Sequence, residues 1–182
     1  AGVTNSAVAL VQVLPPPADL IPFALEPPAQ AVAGQPMSLS WSITNAGTSA
    51  AAGPWQETIY LSSLPDGSAR RALGTVSFSG SINAGQVLRR TISVTVPADL
   101  SGPQYLVVSE DSGNWLQETV ESNNLLLAAT PTEINNADLI VSRLDAPANA
   151  QFGQTIPLTW VVGNSGSAPA NVQWSDKLFL SH

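Results

Sequence analysis

The 182-residue sequence contains a single histidine, His182, and no cysteine. A Ser-His-Asp or Cys-His catalytic set therefore cannot be assembled from this chain. Histidine-based and thiolate metal sites are excluded on the same ground. Carboxylate pairs remain chemically open, but the 13 acids fall mostly in turns and at strand ends. The reading is that the protein is not an enzyme. The densest acidic stretch is EDSGNWLQETVES, carrying Glu110, Asp111, Asn114, Glu118 and Glu121. Oxygen ligands gathered on a loop are what calcium requires, yet the spacing does not match an EF-hand loop. A solvated hairpin is the favoured reading, with calcium as the alternative and no other cofactor expected.

The aromatic residues raise the other chemical option. Trp115 lies in the turn of that acidic stretch, Trp55 opens a strand, and Tyr60 points to the opposite face from its neighbours Ile59 and Leu61. Exposed aromatics beside polar loops contact sugar faces or protein partners, so these three are the candidate contact residues. The competing structural reading has Trp55 in the core and Trp115 as a flap over an open end of the fold.

The elements that would position these residues are strands. Pro and Gly, 15 and 13 in number, recur at short intervals and leave little room for helices. Over 37–44, Met37, Leu39, Trp41 and Ile43 alternate with Ser38, Ser40, Ser42 and Thr44. That period of two predicts one buried face and one wet face. Trp41 would sit in the core and need a partner for its indole N–H. Further strands are expected at 19–25, 55–62, 72–78, 86–96, 104–109 and 124–129. Ile59, Leu61, Leu88, Ile92, Val94 and Val96 face inward, and Arg90 interrupts the pattern. About seven short strands separated by turns predict an all-β, antiparallel β-sandwich of immunoglobulin type.

The sequence also repeats itself. LSWSITNAG at 39–47 returns as LTWVVGNSG at 158–166, an offset of 119 residues. The same offset pairs Asp19-Leu20-Ile21 with Asp138-Leu139-Ile140, Trp55 with Trp174, and Leu61-Ser62 with Leu180-Ser181. A fixed period without slippage marks tandem repeats. It divides the chain into the last strand of one repeat (1–14), a complete repeat (15–134) and the first part of a third (135–182). That third part should hold about three strands, near 138–144, 155–163 and 174–181, with Trp160 as its core tryptophan. Residues 125–137 and their counterpart 6–18 read as short, stiff links between domains. On this reading the chain is a piece of a longer array.

The stretch ADLIPFALEPPAQAVAGQPMSLSWSITNAGTSAAAGPWQETIYLSS resembles the first half of a CARDB domain, the cell-adhesion-related domain found in bacteria. SGPQYLVVSEDSGNWLQETVESNN, at 101–124, resembles the second half. The resemblance implies an immunoglobulin-like sandwich within a large secreted or surface protein of bacteria, and it carries no catalytic residues to transfer.

Composition narrows the partners. Charged residues make up only 10% of the chain, and the net charge is −7. Nucleic acid needs a basic footprint that is absent, and the apolar runs are too short to insert into a membrane. The expected function is a non-catalytic extracellular structural or adhesive repeat module, acting as a rod-like spacer or as an adhesion surface for a host or matrix ligand. Its partners would be neighbouring repeats, or other copies of the chain joined by strand addition. The alternatives are a self-assembling extracellular filament subunit and a carbohydrate-binding module of a secreted enzyme.

Overall fold

The computed structural model describes residues 17–171 and 173–180. The expected strand at 1–14, Ser181 and His182 lie outside the described residues. Two units follow one another. The first is built from β1 (Leu20–Glu26), β2 (Gln30–Val32), β3 (Pro36–Asn45), β4 (Ala51–Ala52), β5 (Trp55–Ser62), β6 (Arg70–Phe78), β7 (Ser81–Ile82), β8 (Val87–Thr95), β9 (Gly102–Ser109), β10 (Leu125–Leu127) and β11 (Thr132–Asn135). The second contains β12 (Leu139–Asp145) and β13 (Thr159–Asn164). The only helical element among the described residues is a single 3-10 turn at Glu121–Asn123, and no helix there is long and apolar enough to cross a membrane.

The first unit is a β-sandwich. One layer has the order β1-β3-β8, all antiparallel. The other has the order β2-β11-β9-β5-β6, with β10 also on β9. Alternation decides what lies between the layers. On β3, Met37, Leu39, Trp41 and Ile43 are all buried, and Ile59 and Leu61 of β5 meet them from the opposite sheet. Val94 and Val96 are buried as expected, while Leu88 and Ile92 are partly buried against the same core. A small sheet pairs β4 with β7 and adds Ala51 and Ile82 to the core.

Three expectations need correction. The serine face of β3 is not uniformly wet: Ser42 is buried, because β3 is the central strand of its sheet and Ser42 is flanked by Phe23 of β1 and Arg89 of β8. Residues 125–137 are not a link along their whole length. β10 and β11 occupy one edge of β9 in succession, and β11 then pairs in parallel with β2. Ala128, Thr132 and Ile134 are buried there. The connector shrinks to Asn136, Ala137 and Asp138, between β11 and β12. Finally, the expected strand at 174–181 does not form over its described residues.

The second unit repeats the first register. Leu20 faces Asn45 and Ile21 faces Thr44 across β1–β3; Leu139 faces Asn164 and Ile140 faces Gly163 across β12–β13. Each pair is broken by a bulge near its middle. The sheet that covers β1–β3 has no counterpart over β12–β13 among the described residues. Trp160 is consequently only half-buried where Trp41 is fully enclosed, and Val141, Trp174, Phe179 and Leu180 are exposed.

Candidate functional site: a buried acid cluster and two connector clamps

The acids expected to line a solvated hairpin are mostly inside the protein. Glu110, just beyond β9, is fully buried. Its Oε1 accepts the Trp41 indole N–H at 2.5 Å, which supplies the partner that the core tryptophan required. Thr58 faces Ser109 across β5–β9, so the next rung sets Glu57 beside Glu110. Glu57 is also fully buried. Its Oε2 accepts from Arg90 Nε at 2.9 Å and from Arg90 Nη2 at 2.6 Å. Arg90 thus interrupts the apolar face of β8 because it reaches across the sandwich to a buried carboxylate, and its guanidinium also lies 5.3 Å from the Phe78 ring centre. Trp55 packs on Phe78 at 4.3 Å between ring centres and is fully buried.

Three buried polar atoms in this cluster lack a hydrogen-bond partner among the described residues: Glu57 Oε1, Glu110 Oε2 and Trp55 Nε1. Burial pushes the Glu110 carboxyl up to about 8, and the charge of Glu57 adds to the rise; the Trp41 hydrogen bond, Arg90 and Trp55 oppose it. Glu57 is also raised, chiefly by burial, against the pull of Arg90.

The remaining acids serve the backbone. Asp111 accepts from the N–H groups of Trp115 and Leu116 at 2.9 and 2.7 Å. Glu118 accepts from Leu20 N and from Asn124 Nδ2, both at 2.5 Å, and burial raises its carboxyl. Glu121 is exposed and accepts from Glu118 N. Asn114 is exposed with a φ of 51°. Among the described residues no three acids or histidines are grouped as metal ligands would be. Of the candidate contact residues, Trp115 is exposed, Tyr60 is half-buried with Arg70 over its ring at 5.7 Å, and Trp55 is inside the core and cannot meet a ligand.

The repeated Asn-x-Gly turns have one job in both units. Asn45 Oδ1 accepts from Asp19 N and Gly47 N, at 3.1 and 3.0 Å, and its Nδ2 donates to Ser49 O and Ile82 O. Asn164 Oδ1 accepts from Asp138 N and Gly166 N, at 2.9 and 3.0 Å, and its Nδ2 donates to Ala168 O. Each turn therefore clamps the segment that leads into its unit. Glycine is required because the incoming backbone passes over it: a Cβ on Gly47 would stand 2.6 Å from Pro17 O. Gly47→Ala is expected to cost about 1–3 kcal/mol, read as a lower melting temperature of the full chain. At the junction, Val32, Ala33 and Gln35 of the first unit, Ala137 of the connector, and Pro169, Ala170 and Asn171 of the second unit line a cavity of about 330 Å³.

The CARDB family profile matches residues 17–128, the body of the first sandwich. The chain belongs to the CARDB family. Similar solved structures include the CARDB domain of a Pyrococcus furiosus protein in complex with di-metal ions, at 13% identity over 71% of this chain and 99% of that one, TM-score 0.49. A 272–376 domain of a candidate cell surface protein from Methanosarcina acetivorans is 24% identical over 64% of this chain and 92% of that one, TM-score 0.44. A β-glucosidase from Listeria innocua, in complex with glucose, is 12% identical over 64% of this chain but only 16% of its own, TM-score 0.41. No curated protein matches the chain.

Within the CARDB domain, sequence reasoning missed Glu57 and its ion pair with Arg90. The interruption at Arg90 was the available signal: a cation on an apolar face needs a buried anion. A second signal was Asp176, which lies 119 residues after Glu57 and accepts the Trp160 indole N–H at 2.9 Å.

Proposed function

We propose that this chain is a stretch of a tandem CARDB array that serves as a non-catalytic extracellular spacer at a bacterial surface, holding modules in line and offering their sides for weak, repeated adhesion. The observation that carries this reading is the connector clamp. The same Asn-x-Gly turn grips the incoming chain in both units, 119 residues apart, and only Asn136–Asp138 separate the strands on either side of the second clamp. On this reading the complete module spans 15–134, with an immunoglobulin-like arrangement, and its partners are neighbouring modules. CARDB is a non-catalytic domain family, in keeping with this role. A short clamped connector fixes the angle between modules, which is what a spacer needs. Small-angle scattering on the 182-residue chain tests this: the expected result is an elongated particle whose shape does not change with salt. Inserting a flexible Gly-Ser segment after Ala137 should broaden its distance distribution. A wild-type distribution already as broad as the insertion's would overturn the spacer reading.

A second reading, strand exchange into a filament, is favoured by the exposed apolar residues of the second unit, Val141, Leu144, Leu178, Phe179 and Leu180 among them. Light scattering separates the two, since exchange predicts a mass that grows with concentration and a simple spacer predicts a constant one.

A further inference from the structure

We infer that Glu57 and Glu110 form a proton-binding site in the core of the CARDB sandwich, in which a single proton on Glu110 Oε2 is donated to Glu57 Oε1 and holds β5 to the end of β9. The placement of the pair carries this inference. Both carboxyls are wholly enclosed, and each uses one oxygen well: Glu57 Oε2 on Arg90 and Glu110 Oε1 on the Trp41 indole. Each has one oxygen left without a donor. Two anions side by side away from water repel strongly, and each orphaned oxygen carries a desolvation cost. One O–H between them removes both problems. Arg90, the one cation that bears on the pair, balances the single negative charge that remains.

The groups around the pair support the assignment. From β8 comes Arg90, from β3 the neutral indole of Trp41, and from the start of β5 the neutral indole of Trp55, which lies near Glu110. Asp111, next in the chain, gives its oxygens to Trp115 N and Leu116 N, and Glu118 gives its to Leu20 and Asn124. The Glu110 carboxyl stands at about 8, above its ordinary 4.5, chiefly through burial and then through Glu57. A folded-state value above the unfolded one means the folded protein holds the proton more tightly. The stabilisation is therefore complete below about pH 4.5 and is lost as pH rises towards about 8.

The test uses the full chain. The infrared C=O stretch of a protonated carboxyl should be present at neutral pH and absent from Glu110→Gln. The unfolding equilibrium constant of the wild type should rise by up to about tenfold per pH unit across that window. Glu110→Gln keeps a donor for Glu57 and should show a shallower slope, the remainder coming from Glu57 and Glu118, which burial also raises. If the variant fails to fold, the wild-type band and its disappearance on titration to higher pH decide the matter alone. A wild type without the band at neutral pH, or equal slopes in both proteins, overturns the shared proton.

Discussion

Trp41→Ala lowers the stability of the first sandwich by about 3–5 kcal/mol, a large fraction of what holds a domain of this size together. Two losses combine. The indole is fully buried at the centre of β3, so its removal leaves a cavity between the sheets. Its N–H is also the donor to Glu110 Oε1, so the truncation strands the other oxygen of Glu110 as well. Trp41→Phe helps to separate these effects, because it keeps most of the apolar volume, leaves a smaller cavity and loses the same hydrogen bond. Chemical denaturation of the full chain checks both variants. The expected order is wild type, then Trp41→Phe, then Trp41→Ala, and an alanine variant within about 1 kcal/mol of wild type would mean that the core closes over the gap.

Arg90→Met is the second large effect. The Arg90 side chain is 22% exposed, but the carboxylate it serves is not exposed at all. Removing the cation leaves Glu57 buried with only its neighbour Glu110 for company. Breaking a buried pair from one side typically costs about 3–5 kcal/mol. The contrast with Arg71–Asp99 and Arg89–Glu26 is informative. Both those pairs are more than half exposed, and Arg89→Met should change stability by no more than about 1 kcal/mol. Adding Glu57→Gln to Arg90→Met removes the stranded charge and should restore part of the loss. A double-mutant cycle measured by denaturation would show the coupling. Equal effects from Arg89→Met and Arg90→Met would contradict the buried placement of Glu57.

These two residues also mark how far the sequence could be read. Trp41 was legible because Met37, Leu39, Trp41 and Ile43 keep the period of a strand with one buried face, and that signal is local. Glu57 was not legible, although its partner was noticed as an interruption. The pair is 33 residues apart in sequence, and only the stacking of β5 over β8 brings it together. Glu110 and Glu118 are visible in the sequence as acids, but only as members of a run that reads as a solvated turn. An acidic run is usually solvated, and nothing local shows that Trp41 or Leu20 N needs a carboxylate. The short strands β2, β4, β7 and β11 have two to four residues each, too few for a period to show. Residues 132–135 followed Pro131 and looked like a link, yet their backbone fills the slot between β2 and β9.

The parallel pairing of β2 with β11 bears on how the module would carry tension. β11 leads directly to the next unit, and β2 follows β1, which receives the chain from the preceding side. Glu133 lies opposite Gln30, Ile134 opposite Ala31 and Asn135 opposite Val32, with both strands running the same way. Tension on the two ends reaches β2 only through β1, which is held to β3, and once it does so it drags β11 and β2 in opposite directions along their common axis. The hydrogen bonds Ala33 N to Asn135 O and Glu133 N to Ala29 O bracket this ladder. They are strained together, as rungs in shear, and cannot be opened one after another like a zip.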